Sequence, residues 1–256
     1  MVLDTRIRIL IGLIIEIFIL IFSIFTTSII MYRYKRNRKP QLRSMMFFYL
    51  LFSAALTASV FGKVLDYSFY SIYLGNTEWG IFTNWSVSLG FISLSLYYQL
   101  EASWTLFPPK LKDASKYARV GSVVLFMIIF ILPRHDINGV EIPFIYSIKF
   151  ILVFIYVLIA SLYNMRKSYK VYTFIRTKFL QKRILAGLVM NTSIIMVFVF
   201  FMISSIYGSI TTIFYTWGYF ISLTFMFIAV ISAFFYVKQG KESDRHEIDD
   251  ELKKLS

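Results

Sequence analysis

The chain has 256 residues, of which 58% are hydrophobic, and it carries a formal net charge of +13 with no cysteine. Such an apolar fraction exceeds what a soluble domain can bury. The missing cysteines exclude disulfides and thiolate metal sites. The basic residues are concentrated in short linkers between apolar runs, which indicates a membrane protein and argues against nucleic-acid binding.

Seven apolar runs follow one another along the chain, and runs of about twenty residues are needed to cross a bilayer core of roughly 30 Å. All seven are predicted to be helices, because a segment in lipid must satisfy its own backbone hydrogen bonds. The predicted spans are residues 7–32, 45–67, 80–107, 117–133, 142–164, 184–207 and 210–237. The prediction is therefore an all-α polytopic membrane protein, with a seven-helix domain over residues 1–237 and a short cytoplasmic tail over residues 238–256.

Basic residues are found in every second linker. The linker after the first span has six between Arg33 and Arg43, and the linker after the fifth has seven between Arg166 and Arg183, all without an acidic residue. By the positive-inside rule these linkers face the cytoplasm, so the N-terminus is outside a plasma membrane. Their side chains are predicted to contact anionic lipid of the inner leaflet or a cytoplasmic partner. The candidates are Arg36, Arg38, Arg166, Lys170, Arg176, Lys182 and Arg183.

Two short patterns recur at an offset of 132 residues. Phe18–Phe22 (FILIF) matches Phe150–Phe154 (FILVF), and the IFxxW pattern of Ile81–Trp85 recurs at Ile213–Trp217. Helices one to three would then be repeated as helices five to seven, in a 3+1+3 parallel arrangement. Because apolar sequence of low complexity also produces such matches by chance, the duplication is left open.

Cofactor and enzyme chemistry is not expected. The two histidines, His135 and His246, lie in a predicted loop and in the tail, which excludes a haem held by paired histidines. A retinal protein needs a lysine on its last helix, and residues 211–237 contain none. The sequence also has no HExxH, GxSxG or P-loop motif, so an enzyme is not predicted.

Ionisable residues inside a span are costly and are functional candidates by default. Glu16 and Lys149 lie within the first and fifth spans, and Lys63 and Asp66 lie near the outer end of the second. Two structural pairings follow, Glu16 with Lys149 and Lys63 with Asp66. The alternative is an outward-facing ligand pocket formed by Glu16, Lys63, Asp66, Asn84, Trp85, Lys149, Tyr215 and Trp217.

The basic linker that ends in FLQKRILAG (Phe179–Gly187), together with seven spans and an outside N-terminus, resembles the seven-helix input modules at the N-terminus of some prokaryotic histidine kinases. The resemblance implies a receptor-like sensory protein. The tail is too short for an output domain, so signalling would need a separate cytoplasmic partner. A small-solute transporter of the 3+1+3 type and a ligand-free scaffold remain alternatives, and a homo-oligomer is left open.

Overall fold

The computed structural model describes residues 5–73, 86–105, 113–131, 148–175, 178–208 and 212–237, except for the side chains of residues 5, 6, 8, 9, 66–73, 204–208, 212–216 and 237. Within these ranges the chain forms seven α-helices, which confirms the all-α prediction. They are α1 (Thr5–Asn37), α2 (Pro40–Tyr73), α3 (Ser88–Trp104), α4 (Ala114–Ile131), α5 (Ile148–Phe174), α6 (Lys178–Gly208) and α7 (Thr212–Val237).

Six of the seven helices are long and apolar enough to cross a membrane, so the chain is a multi-pass membrane protein. The qualifying segments are Leu10–Asn37, Pro40–Leu65, Ala114–Ile131, Ile148–Phe174, Lys178–Ile203 and Trp217–Tyr236. The remaining helix, α3, is described over 17 residues, or about 25 Å at 1.5 Å per residue. It covers most of the predicted third span, residues 80–107, of which residues 80–85 and 106–107 lie outside the described ranges.

The helices pack largely in chain order. In the part of the chain that the structure describes, α1 packs against α2 and α7, α2 also packs against α3, and α6 packs against α5 and α7. A contact between α3 and α5 closes the ring, and α4 lies beside it, mainly against α3. Six helices therefore surround the centre of the bundle, and the last helix lies next to the first.

The connection between α1 and α2 is short and basic. α1 ends at Asn37, and the backbone N–H of Arg38 donates to the carbonyl of Tyr34 at 2.7 Å. Arg38 has φ 46°, the left-handed conformation in which a helix commonly ends. Pro40 then begins α2, where a fixed φ and a missing N–H are tolerated. The two helices are thus antiparallel neighbours with their basic residues at one end of the bundle.

The surface of the bundle is as apolar as its core. On α1, Phe18 and Phe25 are 58% and 55% exposed, whereas Ser23 and Thr26 are buried. The Ser23 and Ser53 hydroxyls lie 2.8 Å apart and join α1 to α2. This pattern is typical of a protein in lipid, because lipid tails are as apolar as the protein core and do not drive apolar side chains inward. Small and hydroxyl residues face the neighbouring helices instead, where they allow close contact.

Candidate functional site

Two of the charged residues predicted as candidates meet inside the bundle. The Lys63 ammonium on α2 donates to Oε1 of Glu16 on α1, and the two side chains are 13% and 4% exposed. An isolated charge in such surroundings is costly, and a partner of opposite sign offsets part of that cost. Glu16 and Lys63 therefore neutralise each other between neighbouring helices.

Two hydroxyl groups complete this arrangement. Ser59, one turn before Lys63, donates to Oε2 of Glu16 at 3.0 Å. Lys63 also donates to the Tyr219 hydroxyl on α7 at 2.6 Å, and that hydroxyl lies 3.4 Å from Oε1 of Glu16. We call Glu16, Ser59, Lys63 and Tyr219 the ion-pair cluster. It joins α1, α2 and α7 through two charged side chains and two hydroxyl groups that hydrogen-bond to them.

A glycine allows the tyrosine to reach the ion pair. Gly12 lies one turn before Glu16, and the Tyr219 ring rests against the α1 backbone at that point. A Cβ on Gly12 would overlap the Tyr219 hydroxyl and lie only 2.8 Å from its Cε1 and 3.0 Å from its Cζ. The missing side chain is therefore a condition for the close approach of α7 to α1.

The structure corrects one predicted pairing. Glu16 pairs with Lys63, so the pairing of Glu16 with Lys149 is wrong. The physical reason is the order of helix packing: α1 contacts α2 and α7, whereas α5, which carries the half-buried Lys149, packs against α3, α4 and α6. Neighbours in this ring decide which charges can meet.

The other predicted pocket residues are not part of the described cluster. Trp217 lies two residues before Tyr219 but is 64% exposed on the surface of α7. The side chains of Asp66, Asn84, Trp85 and Tyr215 lie outside the described residues, so their place in the pocket and the Lys63–Asp66 pairing stay predictions. Three residues at the cluster were not predicted from the sequence: Gly12, Ser59 and Tyr219.

A second carboxylate lies at the basic end of the bundle. Glu101 on α3 accepts from Ser44 on α2 at 2.7 Å and from the Tyr97 hydroxyl at 2.9 Å. Arg119 on α4 lies 3.8 Å from the same carboxylate and donates to Tyr97 at 2.9 Å. Because Arg119 is largely exposed, its ion pair contributes little. The buried Ser44 hydroxyl joins α2 to α3, whereas α4 is joined to α3 through the bond from Arg119 to the Tyr97 hydroxyl.

The basic residues predicted to bind lipid or a partner lie mostly on the surface at this end. Arg36, Arg38, Arg166, Lys170 and Lys182 are exposed, and Arg176 is outside the described residues. Arg183 is half-buried instead, because its Nε donates to the Tyr236 carbonyl at the end of α7 at 2.8 Å. The exposed side chains form a cationic rim, whereas Arg183 also fixes α6 against α7.

No known family model matches the sequence, and no curated protein or solved structure matches it. Among the described residues, no group of three or more histidines, aspartates or glutamates is placed to hold a metal ion. The ion-pair cluster and the buried polar groups of the bundle are therefore the candidate sites of the described chain.

Proposed function

We propose that this chain is a receptor-like sensory protein of the plasma membrane, with its N-terminus outside and its basic end in the cytoplasm. A ligand from the outer side or from the membrane would bind at the ion-pair cluster. By competing for Glu16 or Lys63 it would favour a second packing of α1, α2 and α7. A separate cytoplasmic partner would read the change at the basic rim.

The observation that carries this proposal is the burial of Glu16 and Lys63 in helices that are otherwise apolar. A buried ion pair is a poor stabilising device, because well-packed apolar residues of similar volume often give equal or greater stability. Ionisable residues kept inside a span are for this reason functional candidates. The ion-pair cluster joins three helices, and a competing charge or hydrogen-bonding group could replace its contacts.

The position of the cluster supports a ligand that enters from the predicted outer end. Glu16 is 11 residues from the start of α1, or about 16 Å along the helix. Lys63 is ten residues before the end of α2, or about 15 Å. A ligand that favours one of two packings shifts their populations by its difference in affinity for them. Here that difference would come from replacing the Glu16–Lys63 contact.

The test measures distances between helix ends. Since the chain has no cysteine, cysteines introduced at the exposed positions Asn37 and Lys182 can be spin-labelled without background. Electron–electron distances between α1 and α6 are then compared for the parent chain, Glu16→Gln and Lys63→Met. The matched control is Ser95→Ala, because Ser95 is buried and, among the described residues, bonds only to the Ile92 carbonyl of its own helix.

We expect the two cluster variants to shift the distance distribution at the basic end and Ser95→Ala to leave it unchanged. Unchanged distances in both cluster variants would overturn the receptor proposal and favour a scaffold. The likeness to kinase input modules and the internal duplication stay predictions alongside this one.

A further inference from the structure

A small, partly open cavity lies near the basic end of the bundle, away from the ion-pair cluster. Its volume is about 40 Å³, and it is lined by residues of α2, α3, α5, α6 and α7. Three amide side chains contribute to the lining: Gln99 on α3, Asn164 on α5 and Asn191 on α6. Five of the seven described helices therefore meet around a space that is lined in part by polar side chains.

The orientation of two of these amides is fixed by their hydrogen bonds. Nδ2 of Asn191 donates to the Gly187 carbonyl at 2.7 Å, which makes Oδ1 the atom that faces Gln99. Nε2 of Gln99 donates to that Oδ1 at 2.7 Å. Because this bond needs an N–H from Gln99, its other atom must be the carbonyl oxygen Oε1, an acceptor.

Both Gln99 and Asn164 have carbonyl oxygens without a partner. Each side chain is only 4% exposed, and neither Oε1 of Gln99 nor Oδ1 of Asn164 accepts a hydrogen bond from any described residue. Buried polar atoms in folded proteins are nearly always bonded to protein or to an ordered molecule. Two unpartnered acceptors beside a cavity point to a bound hydrogen-bond donor.

The lining limits the charge and size of that donor. The described residues that line the cavity include no acidic and no basic side chain, so neither a cation nor an anion would find a counter-charge there. A water molecule needs roughly 10–15 Å³ of such space. The cavity thus has room for about three water molecules or for one solute of similar total size.

We propose that this cavity is a binding site for a small uncharged hydrogen-bond donor, either water or an amide-sized solute, which completes the hydrogen bonds of Gln99 and Asn164. The bound molecule would link α3 to α5 at the basic end of the bundle. This site is separate from the ion-pair cluster and does not depend on the proposed receptor function.

Hydroxyl-radical labelling of the full-length protein in lipid nanodiscs tests the site, since radicals formed from bound water label the adjacent side chains. Phe48 lines the cavity and is 5% exposed, whereas Phe150 and Phe198 lie in the apolar core and are 3% and 7% exposed. We expect several-fold greater labelling of Phe48. Equal labelling of all three would show that the cavity holds no water.

A second arm adds formamide, an uncharged molecule with two N–H donors, and normalises each signal to the exposed Phe174 to correct for bulk scavenging. Protection of Phe48 by formamide identifies a solute site, and persistent labelling identifies water as the donor; both support the proposal. Equal labelling without formamide protection overturns it, as does protection by sodium or phosphate ions.

A variant links the labelling to the amides. Asn164→Leu removes one free acceptor and leaves the bond between Gln99 and Asn191 in place. We expect it to lower the labelling of Phe48 toward that of Phe150, while Ser95→Ala, which alters a buried hydroxyl elsewhere on α3, leaves it unchanged. If Asn164→Leu has no effect on Phe48, the amide is not part of the site and the proposal is wrong.

Discussion

Replacing Lys63 with leucine leaves the Glu16 carboxylate buried without its counter-ion. The carboxylate is 4% exposed and keeps two weaker contacts, with Ser59 at 3.0 Å and with Tyr219 at 3.4 Å. Breaking a buried pair from one side typically costs about 3–5 kcal/mol, because the remaining charge is uncompensated. We expect Lys63→Leu to lower the free energy of unfolding by this amount.

The reverse change should cost less. In Glu16→Leu the charge that loses its partner is the Lys63 ammonium. Its side chain is 13% exposed, and it still donates to the Tyr219 hydroxyl at 2.6 Å. A lysine can also move its charge toward the interface along its flexible stem. The double variant Glu16→Leu/Lys63→Leu buries no charge, so its stability should lie within about 1 kcal/mol of the parent or above it.

The assay is reversible unfolding in mixed micelles of a mild detergent and SDS, followed by circular dichroism. The double-mutant cycle gives the coupling free energy, and the double variant should recover at least about 2 kcal/mol relative to Lys63→Leu. The swapped variant Glu16→Lys/Lys63→Glu is a second control, since it restores opposite charges. If the two single losses simply add in the double variant, the buried pairing described above is refuted.

Three further predictions concern packing, the second carboxylate and orientation. Gly12→Ala should lower the free energy of unfolding by about 1–3 kcal/mol through overpacking. Gly121→Ala should instead raise it by up to about 1 kcal/mol through helix propensity, because no atom lies within 4 Å of the new Cβ. Equal effects of the two variants in the same unfolding assay would contradict this prediction. Glu101→Gln should lower the free energy of unfolding by less than about 1 kcal/mol, because its ion-pair partner Arg119 is 66% exposed. Glu101→Leu should lower it further, because two hydroxyls lose their acceptor. Equal losses in the two variants would mean that the hydroxyl bonds contribute nothing to stability. A cysteine at Asn37 should react with an impermeant maleimide only from the cytoplasmic side, and labelling of intact cells would reverse the predicted topology.

The membrane fold and two of the cluster residues could be predicted from the sequence for physical reasons. Backbone groups in lipid must bond within their own segment, so long apolar runs are helices. Charged residues in such runs are rare and costly, which singled out Glu16 and Lys63. The order of packing in the ring was not predictable in the same way, because apolar residues face both lipid and core.

The residues that contact these charges could not be predicted from the sequence for a related reason. Tyr219 is one of 18 tyrosines, and nothing in its spacing marks a contact with a helix about two hundred residues earlier. Gly12 and Ser59 carried a weak signal, since each lies four positions before a cluster charge and so shares its helix face. Gln99 and Asn164 lie near the ends of predicted spans, where polar residues are ordinary.

The sequence separations within the ion-pair cluster bear on how the protein enters its membrane during synthesis. A lone acidic residue at the centre of a helix adds about 2.5–3.5 kcal/mol to the cost of insertion. Lys63 follows Glu16 after 47 residues, whereas Tyr219 follows after 203. The first two helices can therefore leave the translocon as a neutralised hairpin, and α7, which is translated much later, closes over their charges.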